Sequence, residues 1–106
     1  MPLMRGLTLL IATADPVRLR AALTLASANA ALGGRTRVYF HEDAVPLLVT
    51  GEPLIATAME TGTALIACQS GLATANLTAD QLPDGVETGG LIGLLADLGE
   101  DRLDTI

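Results

Sequence analysis

The sequence predicts an α/β fold: a three-layer domain with a mainly parallel, doubly wound sheet of four or five strands and helices on both faces. Three observations carry that prediction. Apolar runs such as Leu7–Ala12 and Thr63–Ala67 are short and barely alternate, as strands covered on both sides do. Helical stretches separate the runs, and a helix between two strands of one sheet implies a right-handed crossover and parallel neighbours. No internal repeat or low-complexity linker divides the 106 residues, which leaves room for one core and a single domain over 1–106.

Leu7–Ala12 is the first strand and Thr13-Ala14 its turn. Asp15-Pro16 starts a helix, because the carboxylate accepts orphan amides and proline suits the first helical position, where its missing N–H costs nothing. Leu19, Leu23, Ala26 and Ala30 recur at helical spacing, and Gly33-Gly34 end the helix with residues tolerant of positive φ. Thr36–Phe40 reads as the second strand. His41-Glu42-Asp43 leave it, with Asp43 expected to cap a short helical turn through Val49. Gly51-Glu52-Pro53 break the chain, Leu54–Met59 has helical character up to Thr61-Gly62, and the strand ending at Cys68 follows. Leu72–Asn76 suits a helix or a loop. Thr78-Ala79-Asp80-Gln81 has the spacing of a capping box, Pro83-Asp84-Gly85 is a turn, and a fifth strand fits around Val86. Gly89–Leu98 is expected to supply the last helix, stopped at Gly99, and Arg102–Ile106 alternates like a closing strand.

Half of the residues are hydrophobic, yet Tyr39 and Phe40 are the only aromatics, so the core is Ala, Leu, Ile and Val packed closely between helix and sheet. A mean hydropathy of +0.48 predicts apolar surface left exposed on the monomer. Such patches commonly become subunit interfaces, so a homo-oligomer (dimer, trimer or hexamer) is expected. Six arginines face twelve acids for a net charge of −6, and lysine is absent. Without a basic stripe or stacking aromatics, nucleic-acid binding is excluded as a function class. The missing lysine also removes Schiff-base chemistry and a P-loop. One cysteine builds neither an intramolecular disulfide framework nor a multi-cysteine zinc site. Met1-Pro2-Leu3-Met4-Arg5-Gly6 lacks a secretory pattern, and the apolar runs fall far short of the roughly 20 residues that span a bilayer. The expectation is a cytoplasmic protein with no membrane partner, no cofactor and no metal.

Cys68 is the most informative residue. It ends the third apolar run, at a strand exit, and ligands in open parallel sheets gather at the ends of strands. Gln69-Ser70-Gly71 follow with small polar groups and available donors. A helix starting here would favour the thiolate through its dipole and free amides. The bland alternative is that a free cysteine behaves as a small buried hydrophobe. With lysine absent, further activation has to come from arginine, His41 or backbone amides.

Around that cysteine the sequence resembles a known family. Gly62-Thr63-Ala64-Leu65-Ile66-Ala67-Cys68, Ala73-Thr74-Ala75-Asn76-Leu77 and Leu82-Pro83-Asp84-Gly85-Val86-Glu87 are similar to the DsrE/DsrF family, which includes the TusD-type sulfur-relay subunits. The apolar first strand, the long Ala/Leu helix, Val38-Tyr39-Phe40, the acidic turn before Ala44-Val45 and the closing Gly89-Gly90-Leu91 to Asp101-Arg102 extend the likeness over most of the chain. The resemblance implies a compact flavodoxin-like doubly wound domain assembled into trimers or hexamers. It also implies that Cys68 receives sulfane sulfur as a persulfide from a donor protein and passes it to an acceptor. One thiolate suffices for that role, whereas a dithiol oxidoreductase needs a resolving cysteine. The first loop, Ala12–Pro16, is shorter and plainer than in relay members, and Thr74-Ala75-Asn76 stand where those often carry basic residues.

The remaining candidates are weaker. His41, the single histidine, leaves the second strand at the same edge of the sheet as Cys68 and suits a base or hydrogen-bond partner for the thiol. Its alternative is a solvated loop residue beside Glu42 and Asp43, too few ligands for zinc. Gln69, Ser70 and Gly71 are the expected substrate contacts. Arg18 and Arg20 oppose the dipole at the start of the first helix, and Arg18 suits an anion such as a sulfur oxyanion, unless it simply pairs with Asp15 or Glu42. Gly89-Gly90-Leu91-Ile92-Gly93 has no phosphate-loop spacing, and Ser70 lacks a nucleophile elbow. Two other functions remain open: a non-catalytic interaction module with an inert cysteine, and a small-ligand-binding domain using the strand-end crevice.

Overall fold

β1 (Leu7–Ile11) pairs in parallel with β2 (Thr36–Phe40) on one side and with β5 (Arg102–Thr105) on the other. β3 (Ala64–Cys68) adds to β2, and β4 (Glu87–Gly89) closes that edge, giving five parallel strands in the order β4-β3-β2-β1-β5. The computed structural model describes residues 4–106; Met1, Pro2 and Leu3, read above as part of a leaderless N-terminus, lie outside the described residues. Between the strands run α1 (Pro16–Ala31), a 3-10 segment (Glu42–Val49), α2 (Pro53–Glu60), α3 (Gln69–Thr74), a 3-10 turn (Ala79–Gln81) and α4 (Leu91–Ala96).

The strand order explains the layers. Steps from β1 to β4 all run one way, so right-handed crossovers stack α1, α2, α3 and the 3-10 segment on one face. There α1 packs on α2, and α3 packs on Glu42–Val49. The return from β4 to β5 carries α4 across the other face, where Leu94 is buried beside Arg37 and Ile66. Leu9, Ile11, Leu19, Leu23, Val38, Phe40, Val45, Leu48 and Leu65 form the well-covered core, each at most 1 % exposed. One six-residue helix covers the second face, so Leu10 and Ile66 remain only partly buried.

Local chemistry follows the sequence at several ends. Asp15 accepts from the amides of Val17 (2.8 Å) and Arg18 (3.3 Å) ahead of Pro16, a cap that contributes about 1 kcal/mol. Gly33 follows α1 at φ 93, the left-handed geometry that closes a helix. The capping box at Thr78 and Gln81 forms as spaced. Three expectations are corrected. His41, not Asp43, precedes the 3-10 segment, and it makes no side-chain cap. Leu72–Asn76 resolves into a helix that begins earlier, at Gln69, directly after Cys68. The last helix is shorter than Gly89–Leu98, because Glu87–Gly89 pairs with Ile66–Cys68 and takes its backbone bonds from the sheet.

A charged cluster locks the amino end of the sheet. Arg37, 8 % exposed, donates to Thr8 Oγ1 (3.1 Å) and to Asp97 Oδ2 (3.3 Å), and approaches Asp101 at 3.8 Å. Arg35 bridges Asp97 (3.1 Å) and Asp101 (2.7 Å) and donates to the Asp97 carbonyl at 2.6 Å. A buried charge is tolerated only when paired in this way.

Candidate functional site

β2 and β3 are neighbours, so their exits open onto the same end of the sheet. The β2 exit delivers His41 and Glu42; the β3 exit delivers Cys68, with Gln69, Ser70 and Gly71 in the first turn of α3. Period-two alternation puts Tyr39 and Ile66, which are register partners, on the same face as Cys68. Together Tyr39, His41, Glu42, Cys68, Gln69 and Ser70 line a cleft of about 260 Å³, closed on its far side by Gly89, Gly90 and Leu91. The sulfur is recessed: Cys68 is 4 % exposed and forms part of the cleft wall, not a projecting rim.

Two backbone features bring the β2 exit onto the β3 exit. Glu42 sits at φ 43, a left-handed conformation that costs a non-glycine residue about 1–3 kcal/mol. Gly71 supplies the space: a Cβ there would lie 2.6 Å from Val45 Cγ2 and 2.8 Å from the Glu42 carbonyl oxygen. Only glycine lets α3 pack this closely on the turn that carries the carboxylate.

The resulting contacts are short. Ser70 Oγ donates to Glu42 Oε1 at 2.5 Å and lies 3.1 Å from Cys68 Sγ. Cys68 Sγ itself lies 3.5 Å from Glu42 Oε1, in position to donate when protonated. Burial pushes the Cys68 thiol up, but the Ser70 and Tyr39 hydroxyls and the backbone amides of Glu42 and Gly71 outweigh it, and the net shift is downward. With only six residues, α3 contributes through such individual donors more than through a dipole. Tyr39, which lines the same cleft, is raised above its ordinary range, first by burial and then by the neighbouring Cys68 sulfur, so it stays protonated. The Ser70 hydroxyl, then Cys68, hold Glu42 below the usual carboxylate range. Glu42 is therefore an anion that accepts hydrogen bonds, not a resting store of protons.

Of the residues singled out from sequence, Cys68, His41, Gln69 and Ser70 line this one cleft, and Gly71 contributes backbone. Arg18 stays outside it: it is an exposed partner of Asp15 at 3.8 Å, while Arg20 pairs with Glu52 at 3.6 Å. Glu42 and Tyr39 are site residues that sequence reasoning passed over. The available signal for Glu42 was its place two residues past the second strand, on the edge that Cys68 shares; Tyr39 required the register between strands.

No family model and no curated protein matches the chain. Solved structures do. A protein of unknown function, MTH1491 from Methanobacterium thermoautotrophicum, superposes with a TM-score of 0.80 at 16 % identity, over 96 % of this chain and 99 % of its own. The ychN protein from E. coli superposes with a TM-score of 0.78 at 19 % identity, over 97 % of this chain and 100 % of its own. At such identities the likeness is one of fold, and it extends from end to end. Among the described residues no helix is long and apolar enough to cross a membrane.

Proposed function

We propose that this chain is a cytoplasmic sulfur carrier of the DsrE/DsrF kind, a homo-oligomer in which Cys68 accepts sulfane sulfur as a persulfide and relays it to an acceptor protein. The observation that carries the reading is one recessed sulfur in the wall of an open cleft, 3.1 Å from the Ser70 hydroxyl and held below the ordinary thiol range by its polar neighbours. The family resemblance around Cys68 supports it. Exposed Ile92 (88 %) and Leu95 (49 %) on α4, with Leu103 on β5, support subunit association through the thinly covered face.

The chemistry balances without an added oxidant. The Cys68 thiolate attacks the outer sulfur of a persulfide donor; a new S–S bond forms at Sγ, the donor's S–S bond breaks, and the donor thiolate leaves with the electron pair. Reversal toward an acceptor thiolate completes the relay. Donors aimed at Sγ stabilise anionic sulfur both before attack and in the terminal persulfide. The cleft admits a small persulfide or a narrow cysteine-bearing segment, not a broad surface.

The low exposure of Cys68 favours a rival: the same fold as an inert interaction module. Intact mass of metal-free protein after exposure to a low-molecular-weight persulfide separates the two. A relay protein gains about 32 Da, reversibly with thiol reductant, and gains nothing when Cys68 is alkylated by iodoacetamide beforehand or replaced in Cys68→Ala. If the folded protein gains nothing and its thiol is alkylated only after denaturation, the carrier reading is wrong.

A further inference from the structure

His41 Nδ1 is buried and has no hydrogen-bond partner among the described residues. An orphaned buried imidazole nitrogen is costly unless something binds it. The same side chain offers a ring nitrogen to a group of three: His41, Glu42 and Cys68 each place one ligand atom within 4.8 Å of the others. The Cys68 Sγ to Glu42 Oε1 separation is 3.5 Å. A tetrahedral zinc ion with bonds of about 2.3 Å to sulfur and about 2.1 Å to oxygen requires roughly 3.6 Å between those two atoms. Counting one histidine and adjacent acids, the sequence reading expected no metal; the fold supplies the missing third ligand by setting the β3 exit against the β2 exit.

The geometry points to a Zn²⁺ site formed by His41, Glu42 and Cys68, with the fourth position open to the cleft. Imidazole, carboxylate and thiolate suit this borderline-soft ion, whereas Mg²⁺ and Ca²⁺ need all-oxygen shells of higher coordination. Ser70 belongs to the outer shell, since its 2.5 Å hydrogen bond fixes the rotamer of the Glu42 carboxylate. The three ligand atoms lie within 4.8 Å of one another, and any pair wider than the spacing zinc sets closes on binding. Zinc on Sγ draws electron density from the sulfur that attacks a donor, so metal binding slows persulfide loading. The site itself does not depend on the carrier reading, because ligation requires only the three side chains.

Competition between the chelator-stripped full chain and a chromophoric zinc indicator tests this. The expected result is one Zn²⁺ per chain, undisturbed by millimolar Mg²⁺ or Ca²⁺. Cys68→Ser, His41→Gln and Glu42→Gln should each weaken binding at least about tenfold. Cobalt(II) gives a second readout: a thiolate-to-metal charge-transfer band present in the parent and absent in Cys68→Ser. Thermal melts of the variants separate lost ligation from lost folding. Absence of stoichiometric binding, or binding that His41→Gln and Cys68→Ser leave intact in folded protein, overturns the site. Persulfide loading is measured by mass on metal-free protein, so failure of the zinc site leaves the carrier reading standing, and failure of loading leaves the zinc result standing.

Discussion

The two ends of the sheet hold charged clusters built from similar parts and put to opposite uses. At the amino end, Arg35 and Arg37 face Asp97 and Asp101, two cations against two anions, and the guanidinium groups also donate to Thr8 and to main-chain carbonyls. At the carboxyl end, Glu42, Cys68 and His41 converge, and among the described residues no arginine joins them and one imidazole nitrogen is left unpaired. The first cluster is saturated and tethers β5 and the end of α4 to the sheet. The second keeps spare valence, which is what a site requires. Pairing that is complete gives stability; pairing that is incomplete gives chemistry, at a cost that the rest of the fold offsets.

The largest separation between the ends should come from Arg37→Met. Thr8 would lose a buried partner, and Asp101, 10 % exposed at its side chain, would keep Arg35 at 2.7 Å but lose its second cation, at a cost of about 1–3 kcal/mol. Asp97 is 72 % exposed and adds little to that figure. The melting temperature should fall by about 5 °C or more, while persulfide loading of the molecules that remain folded stays at the parent rate. Chemical denaturation and mass measurement check both halves. A loss under about 1 kcal/mol would show that the amino-end cluster is decorative.

Gly71→Ala attacks the carboxyl end through packing. The added methyl meets the Glu42 carbonyl and Val45, so α3 or the 3-10 segment must shift, at about 1–3 kcal/mol for an overpacked contact. Unlike Arg37→Met, it should also slow loading of Cys68, because the displaced elements are those that hold Glu42 and Ser70 against the sulfur. A variant that is destabilised yet loads at the parent rate would mean that the close approach serves stability alone.

How far each end was legible in sequence follows from the same contrast. Asp15-Pro16, Gly33, the capping box at Thr78 and the unbroken apolar strands are local signals, and the fold repeats them almost residue for residue. Cys68 at a strand exit was local too. What sequence could not show is everything that depends on register or on distant partners. Arg37 in a strand carries no mark that Asp97 and Asp101, some sixty residues on, will neutralise it. The last helix was overextended because Gly89 pairs with Cys68 across the sheet, a non-local bond that overrides the local pattern. Glu42 and Tyr39 escaped because their roles exist only once β2 lies beside β3.

The smallest effects are the most diagnostic of how the sulfur is tuned, and they should carry opposite signs. Ser70 has one proton, shared between Glu42 Oε1 at 2.5 Å and Cys68 Sγ at 3.1 Å. Ser70→Ala removes a donor to the thiolate, so the thiol becomes the less acidic, the pH midpoint of alkylation moves up, and the rate at neutral pH falls about tenfold, the lower range for a hydrogen bond to a charged group. Glu42→Gln removes a negative charge 3.5 Å from the sulfur and frees the Ser70 proton to serve it. The midpoint should then move down and the neutral-pH rate rise. Iodoacetamide kinetics across pH, with chelator present throughout, measure both. Shifts of the same sign would mean that Ser70 acts by positioning the carboxylate, not by donating to the sulfur.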